Sequence, residues 1–99
     1  GVVLDIDRSA WSPNSVFRVL SDIAGYELNE LESTWNLGLG FAVVVNAAGI
    51  DSVRNSLKSQ GMESFIIGEV ENLGSAEGYE FGGKGSTGGG AKMVGQYAK

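Results

Sequence analysis

Cysteine and histidine are both absent from the 99 residues. Without cysteine there is no disulfide and no thiolate chemistry. Without histidine the chain lacks the commonest general base near neutral pH and the commonest zinc ligand. Proline occurs once, at Pro13. No apolar run approaches the roughly 18 residues that span a membrane. Residues 1–6 are too short, and with Asp5 too acidic, for a signal peptide. Acid is missing from the end of the chain. All 12 acidic residues lie in residues 1–80, against four bases (Arg8, Arg18, Arg54, Lys58), which leaves Lys84, Lys92 and Lys99 for the last stretch. The body therefore carries −8 and the end +3, for a net charge of −5. A nucleic-acid surface needs positive charge along one face, so no nucleic-acid partner is expected.

What is present fits one small folded domain. The apolar fraction is 42%, ordinary for a globular chain. Val2–Ile6 reads as a strand. Ser12-Pro13 reads as a helix start, followed by Val16, Phe17, Leu20 and Ile23 at helical spacing and a stop at Gly25. Leu28, Leu31 and Trp35 suggest a shorter helix, with Glu27, Glu30 and Glu32 on its wet side. Leu39–Val45 is the strongest strand pattern, apolar on both faces and so expected inside a layered sheet. A helix begins near Asp51, buries Ile50, Val53 and Leu57, and ends at Gly61. Ser64–Val70 reads as a strand, with Gly68 marking a bulge or a close neighbour. Glu77–Phe81 reads as a short last strand, hairpinned through Asn72–Ser75. The order predicts an α+β fold with helices layered on a sheet, and a core of Phe17, Leu20, Phe41, Val43, Leu57 and Ile66. Seven of the last 18 residues are glycine, so 82–99 is expected to be a flexible glycine-rich tail.

The stretch Thr34-Trp35-Asn36-Leu37-Gly38-Leu39-Gly40-Phe41 joins helix pattern to strand pattern. Glycines there permit positive φ or close approach by another group. The segment is either a bend alone or a bend that carries a site. Other candidate chemistry is thinner. Gly83–Gly90 has the residue types of a phosphate loop without the GxxxxGK[ST] spacing, and reads as linker or tail. Asp5 and Asp7 could contribute to a metal site, but two carboxylates without a third ligand read better as a solvated strand edge. Trp11 and Trp35 read as core. No nucleophile and base stand together.

Three stretches together resemble one family. They are Val3–Asp7 with Ser9-Ala10-Trp11, Pro13 and Val16-Phe17; Thr34–Phe41 running into Ala42–Val45; and Ala48–Gly61 with Phe65–Val70. Their order is similar to that of the C-terminal domain of aminoimidazole ribonucleotide synthetase (phosphoribosylformylglycinamidine cyclo-ligase). The family pattern T-F-N-x-G-x-G-M is met by Thr34, Asn36, Gly38 and Gly40, with Trp35 in place of Phe and Phe41 in place of Met. The resemblance covers about residues 2–81 and implies a partial C-terminal domain over 1–81.

The resemblance further implies an enzyme of purine synthesis. The family closes the imidazole ring of formylglycinamidine ribonucleotide with ATP and Mg2+. It works as a homodimer, with the site between an N-terminal ATP-binding domain and the C-terminal domain; with no targeting signal read, cytoplasmic is the default expectation. Against that pattern the N-terminal domain and a histidine-containing, glycine-rich loop have no counterpart here. Isolated, the chain is expected to be inactive and to bind neither ATP nor Mg2+ tightly. The substrate-binding residues carried over are Thr34, Asn36, Gly38 and Gly40, with no catalytic residue and no metal ligand assigned. The alternative is a non-enzymatic module that reuses the same half-domain for assembly or small-ligand binding. The residues encoded before Gly1 discriminate between the two.

Overall fold

The computed structural model describes residues 2–72, 79–81 and 89–97. Four strands form one mixed sheet. β1 (Val2–Asp7) is flanked by β2 (Gly68–Asn72), antiparallel, and β4 (Gly90–Val94), parallel; the two-residue β3 (Glu80–Phe81) closes the far edge, giving the order β2-β1-β4-β3. Among the described residues the α-helices are two of ten residues each: α1 (Ser15–Ala24) and α2 (Ile50–Ser59). Helices beside a mixed sheet make the chain α+β, as its patterning predicts.

Local signals account for most helix ends. Gly25 closes α1 in the left-handed conformation, φ +73°, and its N–H donates to the Ser21 carbonyl; glycine takes that conformation without a Cβ clash. Pro13 is buried just ahead of α1, which begins two residues later than the Ser-Pro signal suggests, with Asn14 as the flanking residue. Asp51 in the first turn and Lys58 in the last complement the dipole of α2. The expected short helix at Leu28–Leu31 is a single 3-10 turn, held by a reciprocal cap between Glu27 and Glu30.

Several expectations are corrected. Leu39–Val45 is not a strand: the segment joins no sheet, and Phe41, Val43, Val44 and Val45 are exposed. A strand needs a neighbour to take its ladder bonds, and the described residues supply none there. The core therefore lies elsewhere. Among the described residues Val3, Trp11 and Leu37 are the buried hydrophobics, whereas Leu20, Phe41, Val43 and Ile66 are exposed; Phe17 and Leu57 are half-buried.

The expected strand at Ser64–Val70 starts only at Gly68. β2 and β3 do not form a hairpin, because β4 lies against β3 and β1 lies against β2; residues 73–78 lie outside the described residues. The flexible tail fails at 90–94, which forms β4 beside the central strand. Composition hides this strand. Gly90 and Ala91 have little β preference, but β1 offers an open edge with evenly spaced ladder partners. The phosphate-loop types at 83–88 lie outside the described residues.

Candidate functional site

The Thr34–Gly40 segment follows the 3-10 turn and is a tight, hydrogen-bonded bend. The N–H groups of Thr34 and Trp35 both donate to the Leu31 carbonyl, at 3.0 and 2.9 Å. Asn36 then closes a turn of its own: its Oδ1 accepts the Gly38 N–H at 3.0 Å. Asparagine favours this local bond to a backbone two residues on. Leu37 has φ +52° and Gly38 φ +103°, so two successive residues hold positive φ. For Leu37 that is unfavourable by about 1–2 kcal/mol. Burial opposes the cost, since the Leu37 side chain is 1% exposed.

Gly38 is held to glycine by its φ, and the one close neighbour of an added Cβ is the end of the exposed Asn14 side chain, which can swing aside. A Cβ on it would come 2.7 Å from the Asn14 side-chain oxygen. Gly40 has neither constraint: its φ is not positive and a Cβ would meet nothing within 4 Å. Of the four residues carried over from the motif, the structure brings Asn36 to a cleft. Thr34, Gly38 and Gly40 are exposed on the bend and do not line it.

That cleft has a volume of about 170 Å³. Its walls are largely apolar: Ile6, Trp11, Trp35 and Leu37 line it, while Glu32, Asn36 and the Tyr97 ring supply polarity. Trp11 is anchored twice. Its indole N–H donates to the Leu37 carbonyl at 3.0 Å, and its ring meets Tyr97 edge-on at a centroid distance of 5.3 Å. Trp11 is thus core, as expected, and it fixes the bend against β1. Trp35 is half-buried beside Phe17, with centroids 5.9 Å apart.

One edge of the cleft carries a charged cluster that sequence patterning missed. Glu32, expected on a wet helix face, accepts the Arg8 Nε–H at 2.5 Å and the Tyr97 hydroxyl at 2.6 Å on Oε1, and the Arg8 Nη2 at 3.2 Å on Oε2. Arg8 also donates to the carbonyls of Met93 and Gly95. Arg8 therefore ties the chain just after β1 to the C-terminal end of β4 and the residue that follows it.

The ionisation states follow from these contacts. Burial pushes the Glu32 carboxyl up, but the hydrogen bonds from Arg8 and Tyr97 outweigh it and hold the group below the usual range. Burial, and then the bond to Glu32, pushes the Tyr97 hydroxyl well above its ordinary value. The hydrogen bond to Glu32 raises Arg8 further. Under neutral conditions the cluster is an ion pair with a neutral phenol, which is a structural tie and not a proton-transfer pair.

Asp5 and Asp7 do not converge on a metal. Asp7 Oδ1 accepts the Ser9 N–H and hydroxyl at 2.8 and 2.7 Å, which lowers its carboxyl from the ordinary value. Asp5 Oδ1 accepts the Tyr79 hydroxyl at 2.9 Å, and Lys92 lies over the Tyr79 ring at 5.0 Å. The strand that carries them lies inside the sheet, between β2 and β4, and is no edge. Among the described residues no group of three or more His, Cys, Asp or Glu could hold a metal ion. Among them too, no helix is long and apolar enough to cross a membrane.

Comparison with known proteins adds what geometry does not. A protein of Streptomyces fradiae is 33% identical over 76 residues, which is 77% of this chain and 42% of its own length. The phosphoribosylformylglycinamidine cyclo-ligase of Desulfitobacterium hafniense is 32% identical over 81 residues, 82% of this chain. That of Bacillus velezensis is 29% identical over 83 residues, 84% of this chain. The chain spans 23% of the length of each of those two enzymes. Any 81-residue span of this chain includes the 34–40 bend, so the bend lies inside the shared region. No family model and no solved structure matches the chain.

Proposed function

We infer that the chain, similar over about four fifths of its length to part of the phosphoribosylformylglycinamidine cyclo-ligases, is a portion of such an enzyme and serves purine biosynthesis. The portion corresponds to the C-terminal domain of the subunit. Its partner is the N-terminal ATP-binding domain of the same protein, in a cytoplasmic homodimer. The observation that carries this reading is the bend itself. Asn36 uses Oδ1 in its own turn and lines the cleft, and its amide N–H groups are the donors this reading assigns to a ligand there.

In this reading the bend positions substrate. Asn36 donates to a polar group of formylglycinamidine ribonucleotide or to the loop that holds it. Gly38 and Gly40 let the ligand approach the backbone, and Thr34 offers a hydroxyl at the exposed lip. The reaction activates the formyl oxygen with ATP before the amidine nitrogen closes the ring. The described residues of this chain do not fit a magnesium-nucleotide site, since no carboxylates gather there. ATP and Mg2+ accordingly belong to the remainder of the enzyme, and no step of theirs runs through these residues. What this portion contributes is orientation, whose effect on rate can be large when reacting groups are held close.

The test is complementation in vitro. The 99-residue chain alone should not turn over formylglycinamidine ribonucleotide with ATP, whereas the full-length parent should release ADP and phosphate with ring closure. A full-length parent with no such activity, and with tight binding of an unrelated small ligand in the cleft, would establish the non-enzymatic module instead.

A further inference from the structure

The bend that carries Asn36 has little backbone bonding to hold it against the sheet. Among the described residues, every hydrogen bond donated by a backbone N–H of residues 34–39 is accepted within residues 31–36. Such bonds shape the bend but do not say where it sits. The Trp35 ring meets Phe17 of α1, and the Leu37 side chain is buried.

Two polar ties reach the bend from the sheet, and both start just after β1. Trp11 donates its indole N–H to the carbonyl of Leu37, the residue after Asn36. Arg8 grips Glu32, ahead of the bend, through Nε at 2.5 Å and Nη2 at 3.2 Å. Asn36 therefore lies between two clamps. The turn that carries Arg8 is itself fixed, because Asp7 Oδ1 accepts the Ser9 N–H and the Asp7 N–H donates to the Ile67 carbonyl.

We propose that Arg8 is a positioning residue for Asn36: through Glu32 it sets where the bend presents that side chain to the cleft. Its importance for ring closure rests on the reading above, and the geometry rests on three observations of this chain.

The first is how Arg8 is used. A guanidinium beside a cleft is ordinarily an anion site. Here Nε and Nη2 go to Glu32 and Nη1 goes to the Met93 and Gly95 carbonyls, so every guanidinium nitrogen is engaged. The carboxylate also cancels the charge. What remains for Arg8 is to hold.

The second is the form of the grip. Two parallel bonds between planar groups fix orientation as well as distance. The Arg8 and Glu32 side chains are only 17% and 21% exposed, so this is no loose surface pair. The third is Tyr97. Its hydroxyl donates to the same Glu32 oxygen at 2.6 Å, and its ring meets Trp11 edge-on. Tyr97 thus links the two clamps into one unit. Glu32 and Asn36 both line the cleft, so a shift of that unit moves the wall on which Asn36 stands.

Arg8→Lys is the informative change, since it keeps the charge and loses the fork. Kinetics and unfolding midpoints are measured on the full-length parent for Arg8→Lys, Asn36→Asp and the double variant. Arg8→Lys should lower kcat/KM by about five- to tenfold, as misplacement from a distance does. The loss should not exceed that of Asn36→Asp, because a residue acting through another can cost no more than that other. In the Asn36→Asp background, Arg8→Lys should cost less than about twofold. Equal losses in both backgrounds would overturn the proposal and leave Arg8 a structural tie. Unchanged kcat/KM in Arg8→Lys alone would overturn it too. Glu32→Gln breaks the fork from the other side and carries the same cycle if Arg8→Lys does not fold.

A second readout needs no activity. In the parent labelled with 15N-asparagine, the side-chain amide signals lost in Asn36→Asp belong to Asn36. They should move in Arg8→Lys, and signals that stay in place would overturn the positioning. Full activity in Asn36→Asp would remove the functional reading, while moved signals would still establish Arg8 as the residue that holds the bend.

Discussion

Gly68 offers a test in which structure and propensity predict opposite signs. It opens β2, opposite Ile6 of β1. By propensity alone, replacing a strand glycine with alanine stabilises a protein by roughly 0.5–1 kcal/mol. Here a Cβ would stand 1.8 Å from the Asp5 carbonyl oxygen, 2.8 Å from its carbon and 3.0 Å from the Ile6 Cα. All three are backbone atoms of the central strand, so no side chain can swing aside. The strands would have to part by more than 1 Å at this point.

That displacement also threatens the adjacent bond, in which the Asp7 N–H donates to the Ile67 carbonyl at 2.8 Å. Losing one or two ladder bonds, each worth about 0.5–1.5 kcal/mol net, together with the strain of parting the strands, outweighs the propensity gain. Gly68→Ala should therefore destabilise by about 1–3 kcal/mol. Gly40→Ala is the matched control. It has open space and no positive φ, and should change stability by less than about 0.5 kcal/mol. Urea unfolding followed by tryptophan fluorescence reads both, since Trp11 is buried. A Gly68→Ala midpoint equal to or above that of the parent sequence would refute the close approach of β1 and β2.

Gly38→Ala should destabilise by roughly 1–2 kcal/mol because of its positive φ, and Asn14→Gly, which clears the side-chain contact, should restore little of it; thermal melts of the single and double variants check both. The Glu32 carboxyl is held below its unfolded value, so its contribution is present above about pH 4.3 and is lost as pH falls below that. Acid unfolding should begin there and be advanced by Arg8→Gln. The Tyr97 hydroxyl is shifted the other way. Its contribution is full below about pH 10 and is lost as pH rises beyond it, so alkaline unfolding should be less steep in Tyr97→Phe. The same variant deletes one donor to Glu32, and a carbon-detected titration should show the Glu32 midpoint moving up.

Elements with a local cause were legible in the sequence. Gly25 and Gly61 stop helices because αL conformations need no remote partner, and both have positive φ, +73° and +76°. Gly68 was readable as a bulge or a close neighbour, and the structure shows the second, against the Asp5 and Ile6 backbone. Trp11 was readable as core. What was not legible depends on distant pairing. Leu39–Val45 has the composition of an interior strand, yet pairing requires a neighbour that composition cannot place. β4 is the converse, a glycine- and lysine-containing segment drawn into the sheet by the open edge of β1. Glu32 looked like one more wet acid because its partners, Arg8 and Tyr97, lie 24 and 65 residues away. In the site, the positive φ at Gly38 was foreseen, whereas the positive φ at Leu37 and the open space at Gly40 were not.

The central claim, that the 34–40 bend serves the cyclo-ligase reaction and is more than a turn, is tested most directly by Asn36→Asp in the full-length enzyme. Aspartate keeps an Oδ for the Gly38 N–H, which the wild-type side chain accepts at 3.0 Å, but loses the amide donors. Asn36→Ala loses both. The account predicts that Asn36→Asp leaves the unfolding midpoint unchanged while kcat/KM for formylglycinamidine ribonucleotide falls about ten- to a hundredfold, the equivalent of roughly 1–3 kcal/mol. Asn36→Ala should show the same loss of activity together with a lowered midpoint. Full kcat/KM per folded molecule in Asn36→Asp would contradict the account and leave the bend a structural turn.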